Sequence, residues 1–189
     1  MPIIIGAKPE SNFTDPIGLL TDCHRRIERF LSVLVQVAGQ AQGGALSEEQ
    51  RAAMDTALRY FREAAPKHTA DEETTLFPRL RVCGHPDLQV AFARMDSLEQ
   101  DHVRANLAHA EVDRLGQMWL SSGSLPRGEA ERLSGILAEL NELYRDHIAV
   151  EERELFPAAS RVLAQADREA IGAEMAARRG LTQPKPGNS

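Results

Sequence analysis

The sequence predicts an all-α fold, a bundle of four helices followed by a shorter fifth helix. Apolar residues make up 42% of the chain but aromatic residues only 5%, a composition that favours packed helices over sheets. In four segments, apolar residues recur at steps of three and four, which is the spacing of a helix-bundle seam. Segments rich in Gly, Ser and Pro separate them. A chain of 189 residues therefore suits one helical domain with a sizeable core.

Local sequence patterns place the helix ends. Asp15, or Thr14 before it, is expected to cap the first helix, and residues 47–50 form a capping box for the second. Pro66 should kink or split the second helix, and Pro78 should end or bend it.

The predicted organisation has four parts. Residues 1–13 form an N-terminal extension, and residues 14–163 form the bundle. Residues 164–180 carry the short C-terminal helix, which Gly180 is expected to cap, and residues 181–189 form a tail predicted to be disordered.

One sequence motif, H-x-x-x-E-E-x-x-L-F-P, occurs twice, at residues 68–78 and 147–157, and its copies are 79 residues apart. Two further histidines, His24 and His102, are 78 residues apart. The order His, His-x3-Glu therefore repeats, as expected for a helix pair used twice. Within each copy, imidazole and carboxylate are one turn apart on one helix face.

The repeated histidines and glutamates occupy positions that the apolar periodicity assigns to the core of the bundle. An unpaired carboxylate there costs several kcal/mol, so it must be protonated, paired or coordinated. The alternative is that both pairs lie on the surface as helix-stabilising interactions. Imidazole with carboxylate suits iron, manganese or zinc. Two ions, each with two histidines and both glutamates bridging, would keep positions for O2, NO or a small anion.

On these motifs the chain resembles the hemerythrin-like proteins of the HHE cation-binding type, over roughly residues 14–163. The resemblance implies an antiparallel up-and-down four-helix bundle around a non-haem di-iron centre. By position, the implied ligands are His24, His68, Glu72, His102, His147 and Glu151.

Two departures from oxygen-carrying hemerythrins separate this chain from them. Their second histidine on the third helix is replaced by Asn106, which is predicted to lie in a second shell around the metal. Their bridging aspartate, five residues after its histidine, is replaced by Glu151 at four. The pattern is more similar to iron-centre repair proteins and bacterial sensors with four histidines and two glutamates. The cysteine-containing N-terminal domain of those repair proteins is absent from this sequence.

Five further side chains near the motifs have predicted positions. Asp71, Glu73 and Glu152 face about 100° away from the ligands and are expected to be solvated charges. His109 and Tyr144 should lie at one end of the core, beyond the histidines. They form either a structural hydrogen-bonded pair or a polar second shell or ligand channel.

Charge and composition exclude several classes of partner. A net charge of −6 and a pI near 5.5, without a long basic run, give no reason to expect nucleic acid. No apolar stretch reaches the roughly 18 residues of a membrane span. The opening residues 1–6 lack the features of a signal peptide, and two cysteines make a poor disulfide framework. We therefore expect a cytoplasmic protein.

Three functions fit the predicted site. The first is a non-catalytic di-iron protein that binds O2 or NO or senses redox or iron state. The second is a di-iron enzyme or iron donor, acting in peroxide or NO reduction or in iron-centre repair. The third is a bundle whose metal only holds the helices together. No motif supplies an electron-transfer domain, a nucleophile or a substrate pocket, so the sequence favours binding over catalysis.

Overall fold

The computed structural model describes residues 11–85 and 89–181, and of residues 89–91 the backbone alone. Its eight α-helices are α1 (Pro16–Ala41), α2 (Glu48–Glu63), α3 (Ala65–Asp71), α4 (Phe77–Cys83), α5 (Gln89–Ser122), α6 (Arg127–Val150), α7 (Phe156–Val162) and α8 (Gln165–Arg178). Within these ranges there is no strand, so the all-α prediction is confirmed. Helices α1 and α5 each pack against both α2 and α6, which closes the predicted four-helix bundle.

The predicted caps start the first two helices. The Asp15 side chain accepts a hydrogen bond of 3.0 Å from the backbone N–H of Gly18. Ser47 and Gln50 form the capping box, each side chain bonding the backbone N–H of the other. These bonds satisfy donors that a helix start leaves free.

The two prolines of the second helix act differently. Pro66 splits the helix as predicted, because α2 ends at Glu63 and α3 begins at Ala65. Pro78 does not end it. A π-helical turn at Glu72–Leu76 comes first, and Pro78 then lies in the first turn of α4, where a missing N–H costs little.

The second copy of the motif repeats this local structure. A π-helical turn at Glu151–Leu155 joins α6 to α7, and Pro157 lies in the first turn of α7. The duplicated sequence therefore gives a duplicated helix with a widened turn directly after each histidine-containing helix.

Two apolar clusters lie on either side of a polar layer. In α1, Leu20 belongs to one cluster, Ile27 belongs to the other, and His24 lies between them. In α5, Leu98 and Ala105 flank His102 in the same way. The polar side chains are therefore held inside the bundle with packed hydrocarbon above and below them.

Helix α8 covers one end of the bundle, where Ile171 and Met175 are fully buried in the apolar cluster that contains Leu20. Gly180 follows with φ +71°, the left-handed conformation of a helix C-cap. The chain before α1 crosses α8 so closely that a Cβ added to Gly172 would lie 1.8 Å from the carbonyl oxygen of Phe13. The predicted tail lies almost wholly outside the described residues, and the domain boundaries stay a prediction.

Candidate metal centre

Six buried side chains meet in the polar layer, each no more than 5% exposed. They are the six predicted from the repeat: His24, His68, Glu72, His102, His147 and Glu151. Their ligand atoms form two groups, and within each group these atoms lie within 4.8 Å of one another. Each group takes two histidines from one half of the chain, while both glutamates belong to both groups.

Glu72 connects the two groups through its two carboxylate oxygens. Oε1 lies 3.3 Å from Nε2 of His68, and Oε2 lies 3.3 Å from Nε2 of His102. One carboxylate therefore faces an imidazole from each half of the chain, which is the arrangement of a bridging ligand.

Glu151 connects the groups through one oxygen. Its Oε2 lies 3.0 Å from Nε2 of His24 and 3.4 Å from Nε2 of His147. Glu151 and Glu72 each open a π-helical turn. Such widened turns often occur at functional sites, where they re-aim side chains within a helix.

Two carboxylates outside the six side chains fix the histidine rings. Oε1 of Glu152 lies 3.0 Å from Nδ1 of His24, and Oε1 of Glu73 lies 2.8 Å from Nδ1 of His102. Since an ionised carboxylate only accepts hydrogen bonds, each Nδ1 carries a proton, which leaves each Nε2 facing the site and able to bind a cation once any proton on it is lost. Glu73 is half-buried and Glu152 is exposed, so both meet solvent as predicted, but each also accepts a hydrogen bond from a histidine of another helix, which the prediction did not include.

Asp71 is not a solvated charge. Its side chain is fully buried, and both Arg178 and Arg179 bind its carboxylate, the latter at 2.6 Å between Nη2 and Oδ2. The prediction failed because α8 covers the helix face that would otherwise meet water. Asp71 directly precedes Glu72, so this ion pair joins α8 to the segment that carries two of the six side chains.

The buried oxygen and nitrogen atoms of the site are better suited to bind a cation than to hydrogen-bond one another. Among the described residues, neither oxygen of Glu72 or Glu151 has a hydrogen-bond partner, and neither has Nε2 of His24. The Nε2 atoms of His102 and His147 face each other at 3.1 Å. Leaving so many buried polar atoms unpaired is costly, and bound cations would satisfy them together.

The pKa values of His24 and Glu72 reflect how closely the ionisable side chains of the site are packed. Burial lowers the pKa of His24, but the carboxylates of Glu151 and Glu152 beside its two nitrogens raise it to about 10. Burial and the neighbouring Glu151 carboxylate hold the pKa of Glu72 well above its usual range. Protons thus take up part of the role that a cation would have, and metal binding would displace them.

Comparison with known proteins identifies the family. The sequence model described as "Hemerythrin HHE cation binding domain" matches residues 15–159. The chain belongs to the hemerythrin HHE family. It is also 27% identical over 173 residues to a protein of Haemophilus influenzae (strain ATCC 51907 / DSM 11121 / KW20 / Rd) described as "Uncharacterized protein", a match that covers 92% of this chain and 95% of that protein. As a hemerythrin-family domain, the bundle is a cation-binding one.

The residues expected beyond the histidines line a cavity beside the site. Nε2 of His109 and the hydroxyl of Tyr144 lie 2.9 Å apart, and both residues border this cavity. Asn106 borders it too, but its side chain is exposed and belongs to neither ligand group. None of the helices within the described residues is long and apolar enough to cross a membrane.

Proposed function

We propose that this hemerythrin-family protein binds two iron ions and that the loaded centre takes up O2 or NO, acting as a sensor or scavenger. The observation that carries the proposal is the pair of four-residue groups, each with two histidines and the shared glutamates Glu72 and Glu151. Four side chains for each ion leave coordination positions free at six-coordinate iron.

The side chains of the site have separate roles in this proposal. His24 and His68 would hold one ion and His102 and His147 the other, with Glu72 and Glu151 shared by both groups. Glu152 and Glu73 keep two of the rings oriented. Bound iron would supply the redox chemistry and the open position for a diatomic ligand, while the surrounding apolar clusters exclude bulk water.

A sensor or scavenger is favoured over an oxygen carrier by the residue at position 106. Asn106 is exposed and stands outside both groups, so the second ion has two histidines where carriers supply three. The fewer imidazoles leave that ion more open to oxidation. A reducing, cytoplasmic setting completes the proposal and agrees with the two free cysteines, Cys23 and Cys83.

Metal analysis of protein purified without added metal tests the proposal, followed by absorbance measurements on mixing the reduced protein with O2 or NO. We expect two iron ions for each chain and a single rapid absorbance change without sustained consumption of either gas. Colour that reverses on lowering O2 would instead identify a carrier, and sustained turnover of peroxide or NO would identify an enzyme. Zinc retained in place of iron would leave a structural metal site.

A further inference from the structure

Two cavities adjoin at one side of the metal centre. The inner chamber, between the four histidines and a layer formed by Phe61, His109 and Tyr144, has a volume of about 20 Å³. A buried water requires roughly 10–15 Å³ on the same measure, so the chamber holds one molecule of about that size. Small side chains, Ala65 and Ala105, create this space one turn beyond the histidines.

The outer groove lies between α2 and α5 and has a volume of about 180 Å³. Leu58, Arg62 and Asp113 border it but do not border the inner chamber. Arg62 is exposed, as is Pro66 at the break between α2 and α3, so the groove meets solvent. The helix break thus opens the bundle wall beside the metal centre.

Four residues border both cavities: Phe61, Pro66, Asn106 and His109. The His109 ring is held on two sides. It stacks on Phe61 with ring centroids 4.1 Å apart and planes 19° apart, and its Nε2 contacts the Tyr144 hydroxyl at 2.9 Å. Its Nδ1 is buried and has no hydrogen-bond partner among the described residues. His109 is therefore a fixed polar element in the wall that the two cavities share.

We propose that the outer groove is the entrance through which a small uncharged molecule reaches the metal centre, and that His109 controls its passage into the inner chamber. The inference rests on the proposed function for its ligand, O2 or NO, but concerns residues outside the six ligands. It gives His109 and Tyr144 a role in ligand entry.

The charges along this route favour an uncharged ligand. At the groove, Arg62 Nη1 and Asp113 Oδ1 pair at 2.7 Å, so the two charges offset each other. Further in, burial lowers the pKa of His109 to about 4, which keeps its imidazole neutral near pH 7. An anion would lose hydration along the route without a compensating charge, whereas O2 and NO have little hydration to lose.

The matched variants are His109→Trp, which fills the passage, His109→Ala, which widens it, and Leu107→Trp as the control. Leu107 is on the same helix, is 71% exposed and borders neither cavity. In the iron-loaded, reduced protein, we expect His109→Trp to slow NO association about tenfold, which corresponds to about 1.4 kcal/mol of added barrier. His109→Ala should accelerate it, and Leu107→Trp should match wild type.

A second measurement uses zinc-loaded protein and does not require iron. Dissolved O2 is paramagnetic and broadens the NMR signals of methyl groups that it approaches. We expect stronger broadening at the Ala105 methyl, in the inner chamber, than at the Ala57 methyl, which is buried in the apolar cluster that contains Ile27 and borders neither cavity. His109→Trp should remove that excess, and His109→Ala should increase it.

The outcomes separate this inference from the proposed function. A protein that fails to retain iron but shows the O2 effect at Ala105 contradicts the function and supports the entrance. Equal broadening at Ala105 and Ala57 overturns the entrance, as does an NO association rate that neither His109 variant changes. A slowing by Leu107→Trp equal to that by His109→Trp also overturns it. If His109→Trp does not fold, His109→Ala decides by the same two measurements.

Discussion

Glu152, in the second half of the chain, accepts a hydrogen bond of 3.0 Å from Nδ1 of His24, in the first half. The bond lowers the pKa of Glu152, which keeps its carboxylate ionised. Glu73 of the first half holds His102 of the second in the same way. The Glu-Glu doublet of each motif copy thus provides one carboxylate for the polar layer and one that orients a ring from the other half.

We predict that Glu73→Gln or Glu152→Gln lowers metal affinity about 10- to 100-fold, because each change weakens the hydrogen bond that orients a ligand ring. Competition with a chelator measures the affinity. Glu154→Gln is the control, since Glu154 is exposed and pairs only with Arg94 among the described partners. An effect as large in Glu154→Gln would assign the loss to net charge rather than ring orientation.

Glu72→Ala or His68→Ala should abolish most of the stabilisation that metal gives. At a free metal concentration of about 100 times the dissociation constant, wild type gains about 2.7 kcal/mol, because metal binds the native state alone. Without metal, Glu72→Ala should be neutral or stabilising, since it removes a buried carboxylate that has no hydrogen-bond partner among the described residues. Thermal melts with and without iron measure both effects, and equal metal-induced shifts in wild type and variants would contradict the ligand roles.

Replacing both Arg178 and Arg179 by alanine should destabilise the protein by about 3 kcal/mol or more, because it leaves the buried Asp71 carboxylate without its cations. Urea unfolding measures the change. Adding Asp71→Asn to the double variant should recover part of the loss. Arg161→Ala, at an exposed position of α7, controls for the removal of an arginine, and no recovery by Asp71→Asn would contradict the ion-pair explanation.

His109 should make stability depend on pH. Burial lowers its pKa from 6.5 to about 4, so the folded state binds fewer protons than the unfolded state between these values. Stability is therefore complete above about pH 6.5 and is lost as the pH falls toward 4, by about 2 kcal/mol at pH 5. The difference in unfolding free energy between metal-free wild type and His109→Gln should change by this amount between pH 7 and pH 5. A pH-independent difference would contradict it.

Periodicity and spacing predicted most of the fold, because helix caps, prolines and apolar steps act locally. The Asp15 cap, the capping box at Ser47 and the split at Pro66 all follow from neighbouring residues. The π-helical turns were not predicted: in each, the backbone N–H of the residue before the proline bonds the glutamate carbonyl five residues back, and apolar steps of three and four do not indicate that spacing. The sequence signal for these turns was the motif itself, which is repeated at residues 68–78 and 147–157.

The six buried side chains were predictable because each has two features at once. Each occupies a core position in the apolar periodicity of its helix, and each belongs to a pattern that repeats after 78 or 79 residues. The contacts of Asp71, Glu73 and Glu152 were not predictable. A position about 100° from the ligands on a helix wheel does not show whether water or another helix lies beside it. Asp71 shows this most clearly. Its partners, Arg178 and Arg179, are more than 100 residues further along the chain.

The sharing of Glu72 and Glu151 between both groups makes the domain an internal pseudo-dimer. A fragment containing only α1 to α4 would carry two histidines and one glutamate, one carboxylate short of a full group. Such a fragment could complete its site only by associating with a second copy related by a twofold axis. Symmetric assembly of half-length chains is therefore a concrete scheme for building a minimal metalloprotein from this architecture.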